Sequence, residues 1–223
     1  DNASVAGSFI EVVSETVPTK SLLTKKKLTF TAAEKAQNLY LMGITAAQEE
    51  NWELAIGYWL NALKLRPEHI MARKRAILAL FSSDRSQADH LVSMGMKLSD
   101  KLDLRKWYAR TLLSFAGATQ AVKFLAEQNV QVEEDAEYVA LQAALWQQTE
   151  DYPKSQQAYR ELLRNFPENE IYQFGLAVVL DQQAKGDEAL NYYRMALSGL
   201  KGSPQRYARE RIQALAANIG AGN

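Results

Sequence analysis

The chain has 223 residues, 47% of them hydrophobic, which is enough apolar material to bury a core and too much for a disordered polypeptide. Lysine plus arginine equals aspartate plus glutamate at 26 each, so no net positive field gathers nucleic acid or presses the whole chain onto an anionic membrane. Cysteine is absent, which removes disulfides, thiolate nucleophiles and thiolate-bound metals, and leaves the compartment unread.

Residues 1–32 read as an extended leader or tether. Its first eight residues are small and polar, Phe9-Ile10-Glu11-Val12-Val13 is a short run with strand propensity, and Lys25-Lys26-Lys27 is a basic cluster that reads as solvated linker. The apolar run around Phe9 to Val13 is expected to lie extended on the array that follows, or on that of a neighbouring copy, giving a route to self-association. Asp1 in place of a methionine points to a mature product or an excised soluble region, with an upstream anchor left open. No stretch approaches the roughly 20 consecutive apolar residues of a membrane helix, so no membrane span is expected within this chain.

From residue 33 onward the sequence repeats. Gly43, Ala76, Ala109, Ala143 and Ala177 fall in one column with spacings of 33, 33, 34 and 34 residues. The same spacings place Ala55, Ala88, Ala121, Ser155 and Ala189 in a second column, and Trp59, Val92, Leu125, Tyr159 and Tyr193 in a third. Each unit reads as two amphipathic helices about a polar break. In the first unit (33–68), Leu39, Met42, Gly43 and Ala46 lie on one helix and Ala55, Trp59, Ala62 and Leu63 on the next, with Glu49-Glu50-Asn51 between them. Units 69–101, 102–135, 136–169 and 170–202 follow the same plan. Pro67 and Pro167 close the first and fourth units, where a missing N–H ends a helix. Ser203-Pro204 reads as an N-cap and first-turn proline for a capping helix over 203–217 through Tyr207, Ile212 and Leu215, before a tail at 218–223.

Chemistry-bearing patterns are sparse. His69 and His90 each lack a partner at the four-residue helical spacing that metal sites favour, and the acidic runs Glu49-Glu50 and Glu133-Glu134-Asp135 fall at turns and helix starts, where they complement the helix dipole. There is no phosphate-binding glycine loop, nucleophile elbow or dinucleotide fingerprint. No catalytic, cofactor-binding or metal-binding residue is therefore expected, and no enzyme. Trp59 and Trp146 fall on packing columns and read as core, whereas Trp107 does not.

The array resembles the tetratricopeptide repeat family over about residues 33–217. The matches include Leu39, Met42, Gly43, Ala55, Trp59, Ala62 and Pro67 in the first unit, and Leu176, Ala177, Leu180, Ala189, Tyr193 and Ala196 in the fifth. The resemblance is weaker in the second and third units. Arg75 and Gln142 stand where the family usually has an apolar residue, and Asp100, Glu133 and Lys201 where it often has proline. The resemblance implies an all-α, right-handed superhelix of about five helix-turn-helix units with a C-terminal cap. It also implies a concave groove, lined by first helices, for a protein partner or extended peptide. Carried across, the family's groove positions are Tyr40, Ile44, Arg73, Ile77, Leu80, Lys106, Trp107, Arg110, Ala144, Gln147, Phe174 and Val178. Arg73, Lys106 and Arg110 read either as a cluster for a carboxylate or acidic segment, or as charges paired with Asp103 and Glu137. Tyr40 and Ile44 replace the lysine and asparagine of the chaperone-type carboxylate clamp, so binding of heat-shock-protein tails is not expected.

Within the family, the chain is similar to the tetratricopeptide proteins of mannose-sensitive haemagglutinin pilus biogenesis, a type IV pilus system. The likeness lies in Ile10-Glu11-Val12-Val13 ahead of five units, in Tyr172-Gln173-Phe174-Gly175-Leu176-Ala177-Val178-Val179-Leu180-Asp181, and in Tyr207-Ala208-Arg209-Glu210-Arg211-Ile212-Gln213-Ala214-Leu215. It implies a periplasmic scaffold tethered to the inner membrane by an upstream segment. A cytoplasmic adaptor or secretion chaperone, and a non-catalytic repeat domain of a larger enzyme, are the competing readings.

Overall fold

The computed structural model describes residues 30–98 and 101–221; the leader runs at 9–13 and 25–27, and Asp100, lie outside them. Eleven helices and no strand occur among the described residues: α1 (Ala32–Gln48), α2 (Trp52–Leu65), α3 (Ile70–Leu80), α4 (Arg85–Gly95), α5 (Lys101–Ala116), α6 (Ala118–Ala126), α7 (Val132–Gln148), α8 (Tyr152–Asn165), α9 (Glu170–Gln182), α10 (Gly186–Ala196) and α11 (Gly202–Ala221). Each helix packs on the next, so α1 to α10 form five consecutive hairpins and α11 closes the stack against α10. No described helix is long and apolar enough to cross a membrane.

The three periodic columns are where the hairpins touch. The alanines of the first two columns and Ser155 are all fully buried, and Trp59, Val92, Leu125, Tyr159 and Tyr193 fill the space between helices. Small residues bring two backbones together and the bulky column occupies the remaining gap. Ser155 is tolerated in a buried column because its hydroxyl donates to Ala143 O at 2.8 Å.

Helix ends follow from local chemistry. Thr31 and Glu34 form a reciprocal capping box at α1, and Asn51, Asp84, Asp151 and Asn169 accept backbone N–H groups at their helix starts. The first, fourth and fifth hairpins share one tight turn, in which Glu50, Glu150 and Ala184 have φ near +60°. In that turn Asn51 N donates to Ala46 O, Asp151 N to Trp146 O and Lys185 N to Leu180 O, each at 2.9 Å. The second hairpin turns through Phe81-Ser82-Ser83 and the third through Gly117 at φ +91°.

Two differences from the sequence reading concern boundaries. Within α7, Asp135 is extended and accepts from Tyr138 N at 2.9 Å, so a short turn precedes the main helical body that starts at residue 136. The capping helix opens at Gly202, whose φ of +64° suits glycine, with Pro204 in its first turn, and continues to Ala221 across the expected tail. The core divides into two clusters on either side of α7. Tyr138 and Leu145 belong to the first, and Val139 and Ala143 to the second.

Candidate protein-binding cleft

α7 packs against both α5 and α9. A side-chain contact joins α1 to the start of α3. There His69 caps the helix, its Nδ1 accepting from Ala72 N at 3.3 Å, while Nε2 lies 3.1 Å from Gln37 Oε1 and the ring stacks on Tyr40 at 5.1 Å. A cap that accepts through Nδ1 requires the neutral ring to carry its proton on Nε2, which then donates to Gln37. Burial of the imidazole lowers its pKa, in keeping with that neutral form.

Residues of α1, α2 and α3 line a cleft of about 790 Å³. Ile44, Ala47 and Gln48 of α1 form one wall, and Arg75, Leu78 and Ala79 of α3 the other. Trp52, Ile56 and Trp59 of α2 make the floor, and Ser82 and Ser83 close the far end. Trp59 is 1% exposed and fixed by its indole N–H, which donates to Tyr40 O at 3.2 Å. Trp52 and Leu78, by contrast, are 54% and 39% exposed. Apart from Gln48, the two serines and Arg75 the lining is apolar, and Arg75 makes no ion pair among the described residues. A concave apolar site of this size with a few polar groups on its rim suits several consecutive side chains of an extended segment.

Of the groove residues expected from sequence, Ile44 lines this cleft, and Tyr40 lies against His69. Arg73, Ile77, Leu80 and Lys106 are buried and do not line this cleft. The reason for Arg73 is Gly95 of α4, whose missing side chain admits the arginine stem. The guanidinium then donates to Leu91 O at 2.7 Å and Pro67 O at 2.6 Å, which ties α3 to α4 and to the loop after α2. Gln173 repeats the second bond one hundred residues later, donating to Pro167 O at 2.8 Å. Ile77 and Leu80 join the first core cluster.

Arg73, Lys106 and Arg110 do not form a free basic patch. Lys106 Nζ lies 2.9 Å from Asp135, 3.1 Å from Glu137 and 3.1 Å from Asp103, and Arg110 is 2.6 Å from Glu137. Burial alone would lower the Lys106 pKa, but the three carboxylates overcome it and raise it well above the ordinary value. Hydrogen bonds from Arg110 and then Lys106 lower that of Glu137. These charges tie α5 to α7. Trp107 is half-buried with Lys74 Nζ 5.2 Å from its ring centre. Ala144, Gln147 and Val178 are half-buried, and Phe174 packs its ring against Tyr193 and Tyr207.

Trp52, Ile56, Arg75 and Leu78 are among the cleft residues that the repeat pattern misses. The available signals were an unassigned tryptophan at the start of a helix and an arginine in a column where the family is usually apolar.

Comparison with known proteins agrees with this architecture. Residues 141–208 match the family model of the tetratricopeptide repeat. No curated protein sequence matches the chain. Among solved structures, YrrB, described as a tetratricopeptide repeat protein with an unusual peptide-binding site, is 13% identical with a TM-score of 0.53, covering 78% of this chain and 92% of that one. Yeast Tom70 is 16% identical with a TM-score of 0.56, over 83% of this chain and 40% of its own. PilF of Pseudomonas aeruginosa is 15% identical with a TM-score of 0.51, over 84% and 91%. At these identities the likeness is one of fold, the tetratricopeptide-type solenoid.

Proposed function

We propose that this array of tetratricopeptide-type hairpins is a non-catalytic scaffold that holds an extended segment of a partner protein in the α1–α3 cleft. The observation that carries the proposal is the cleft itself, an open apolar site whose floor is fixed by Trp59 while Trp52 and Leu78 remain available to a ligand. Several polar side chains in the array hold helices to one another. Tyr108 donates to Asp89, Tyr193 donates to Asp181 at 3.1 Å, and Arg211 donates to the same carboxylate at 2.7 and 2.8 Å.

The finer reading places the scaffold in the periplasm, tethered to the inner membrane by an upstream segment and serving assembly of a type IV pilus of the mannose-sensitive haemagglutinin kind. It is supported by the stretches at 172–181 and 207–215, which meet in space. Phe174 and Tyr207 lie edge to face at 6.1 Å, and Asp181 pairs with Arg211. The test is surface piliation in the source cell. Deleting the gene should abolish pili, and Leu78→Glu should reproduce that loss with protein abundance and helicity unchanged. Normal pili after deletion would overturn the pilus assignment. If deletion abolishes pili and Leu78→Glu leaves them normal, the cleft is not the seat of the partner.

A further inference from the structure

The cleft has one charged lining residue, Arg75, surrounded by apolar groups. The leader contains a segment of matching chemistry, Phe9-Ile10-Glu11-Val12-Val13, with a single carboxylate among four apolar side chains. We propose that this segment occupies the cleft of its own molecule, with Glu11 on Arg75, and that an external partner must displace it. The proposal rests on the cleft being a seat for extended protein segments.

Reach permits it. Seventeen residues separate Val13 from Thr31, the cap of α1, and an extended chain of that length spans up to about 55 Å. The cleft wall begins at Ile44, in the C-terminal half of a 17-residue helix that is about 25 Å long. The leader can therefore fold back along α1 with slack to spare. An extended segment alternates its faces, so Ile10 and Val12 share one side while Phe9, Glu11 and Val13 share the other. A ligand joined to its site by a tether of this length has an effective concentration in the millimolar range, so weak contacts suffice to keep the site filled by the leader of the same molecule rather than by that of another copy.

The test replaces Phe9 with the photoreactive aromatic p-benzoylphenylalanine in the purified full chain at micromolar concentration. Irradiation should give an adduct in the monomer band that maps to cleft residues such as Ile56 or Leu78. Arg75→Glu should lower its yield about fivefold or more, and adding Glu11→Arg should restore it. Arg75 is exposed, so its replacement should leave helicity intact, which circular dichroism checks. An adduct confined to the dimer band overturns the proposal. So does one that maps to the outer edge of the first hairpin at Met42 and Leu54, and so does the absence of any adduct. The piliation experiment reads separately whether another protein uses the cleft, so failure here leaves that question standing on its own result.

Discussion

Gly43→Ala joins the packing of the first hairpin to the shape of the cleft. A methyl group built at Gly43 lies 2.6 Å from Cδ1 and 2.9 Å from Cε2 of Trp59, well inside the ~3.5–4.0 Å at which carbon atoms rest. The indole has nowhere to retreat, being 1% exposed and hydrogen-bonded to Tyr40 O. Overpacking of this kind costs about 1–3 kcal/mol, against a gain of about 1 kcal/mol from replacing glycine in a helix interior. A net loss of about 0–2 kcal/mol is expected. Gly57→Ala supplies the control, because nothing lies within 4 Å of its added methyl, and it should gain about 0.5–1 kcal/mol. The two variants should differ by about 2 kcal/mol, or roughly 1 M in the urea midpoint followed by circular dichroism. The reasoning is refuted if Gly43→Ala unfolds at the same urea concentration as Gly57→Ala or later.

Other changes test the buried charges. Arg73→Ala removes the donor to Leu91 O and Pro67 O, the first of them a buried bond, and opens a cavity beside Gly95, a loss of about 2–4 kcal/mol that should lower Tm by about 5–15 °C in calorimetry. Arg110→Ala breaks only an exposed pair and should cost less than about 1 kcal/mol. Lys106→Met strands three carboxylates and should cost roughly 2 kcal/mol at neutral pH, less than a fully buried pair because Asp103 and Glu137 are mostly in solvent. Since Glu137 is held below the ordinary carboxylate pKa, its stabilising contribution is present above pH 4.5 and is lost as pH falls through its lowered folded value. The gap between native protein and Lys106→Met should therefore narrow in acid, measured as urea midpoints from pH 7 to pH 3. His69 titrates in the same direction for a different reason. Its folded pKa lies below 6.5, so the unfolded chain binds the proton first, and stability is lost as pH falls through 6.5 toward the folded value. His69→Asn, which keeps a capping side chain, should flatten the midpoint curve through that interval.

The repeat was legible because its cause is local: a small residue must face a bulky one once per hairpin, and every hairpin of the array records that demand at the same spacing. The shared turn of the first, fourth and fifth hairpins explains why these units look most like the family, while the second and third turn differently. The cations were legible only in part. Pairing of Lys106 and Arg110 with Asp103 and Glu137 is one of the two readings the sequence offers, but Leu91 O, which meets Arg73, and Asp135, which meets Lys106, lie on other helices that periodicity does not bring to them. The cleft was least legible, since its lining is drawn from three helices and a turn, a combination that no single column encodes. Trp52 and Leu78 are apolar residues outside the repeating columns, and Arg75 stands where the family is usually apolar.

The claim that the cleft seats protein is tested most directly by photocrosslinking in the source cell, with p-benzoylphenylalanine placed singly at Ile44, Trp52 or Leu78, and at Leu54 or Met195 elsewhere on the surface. Leu54 and Met195 are 44% and 53% exposed, so they report the background of accidental contact. Adducts to one and the same segment, whether of the leader or of another protein, should form from the three cleft positions and be absent from the two controls. Equal yields at all five positions, or adducts from the controls alone, would contradict the assignment of the cleft as the binding site.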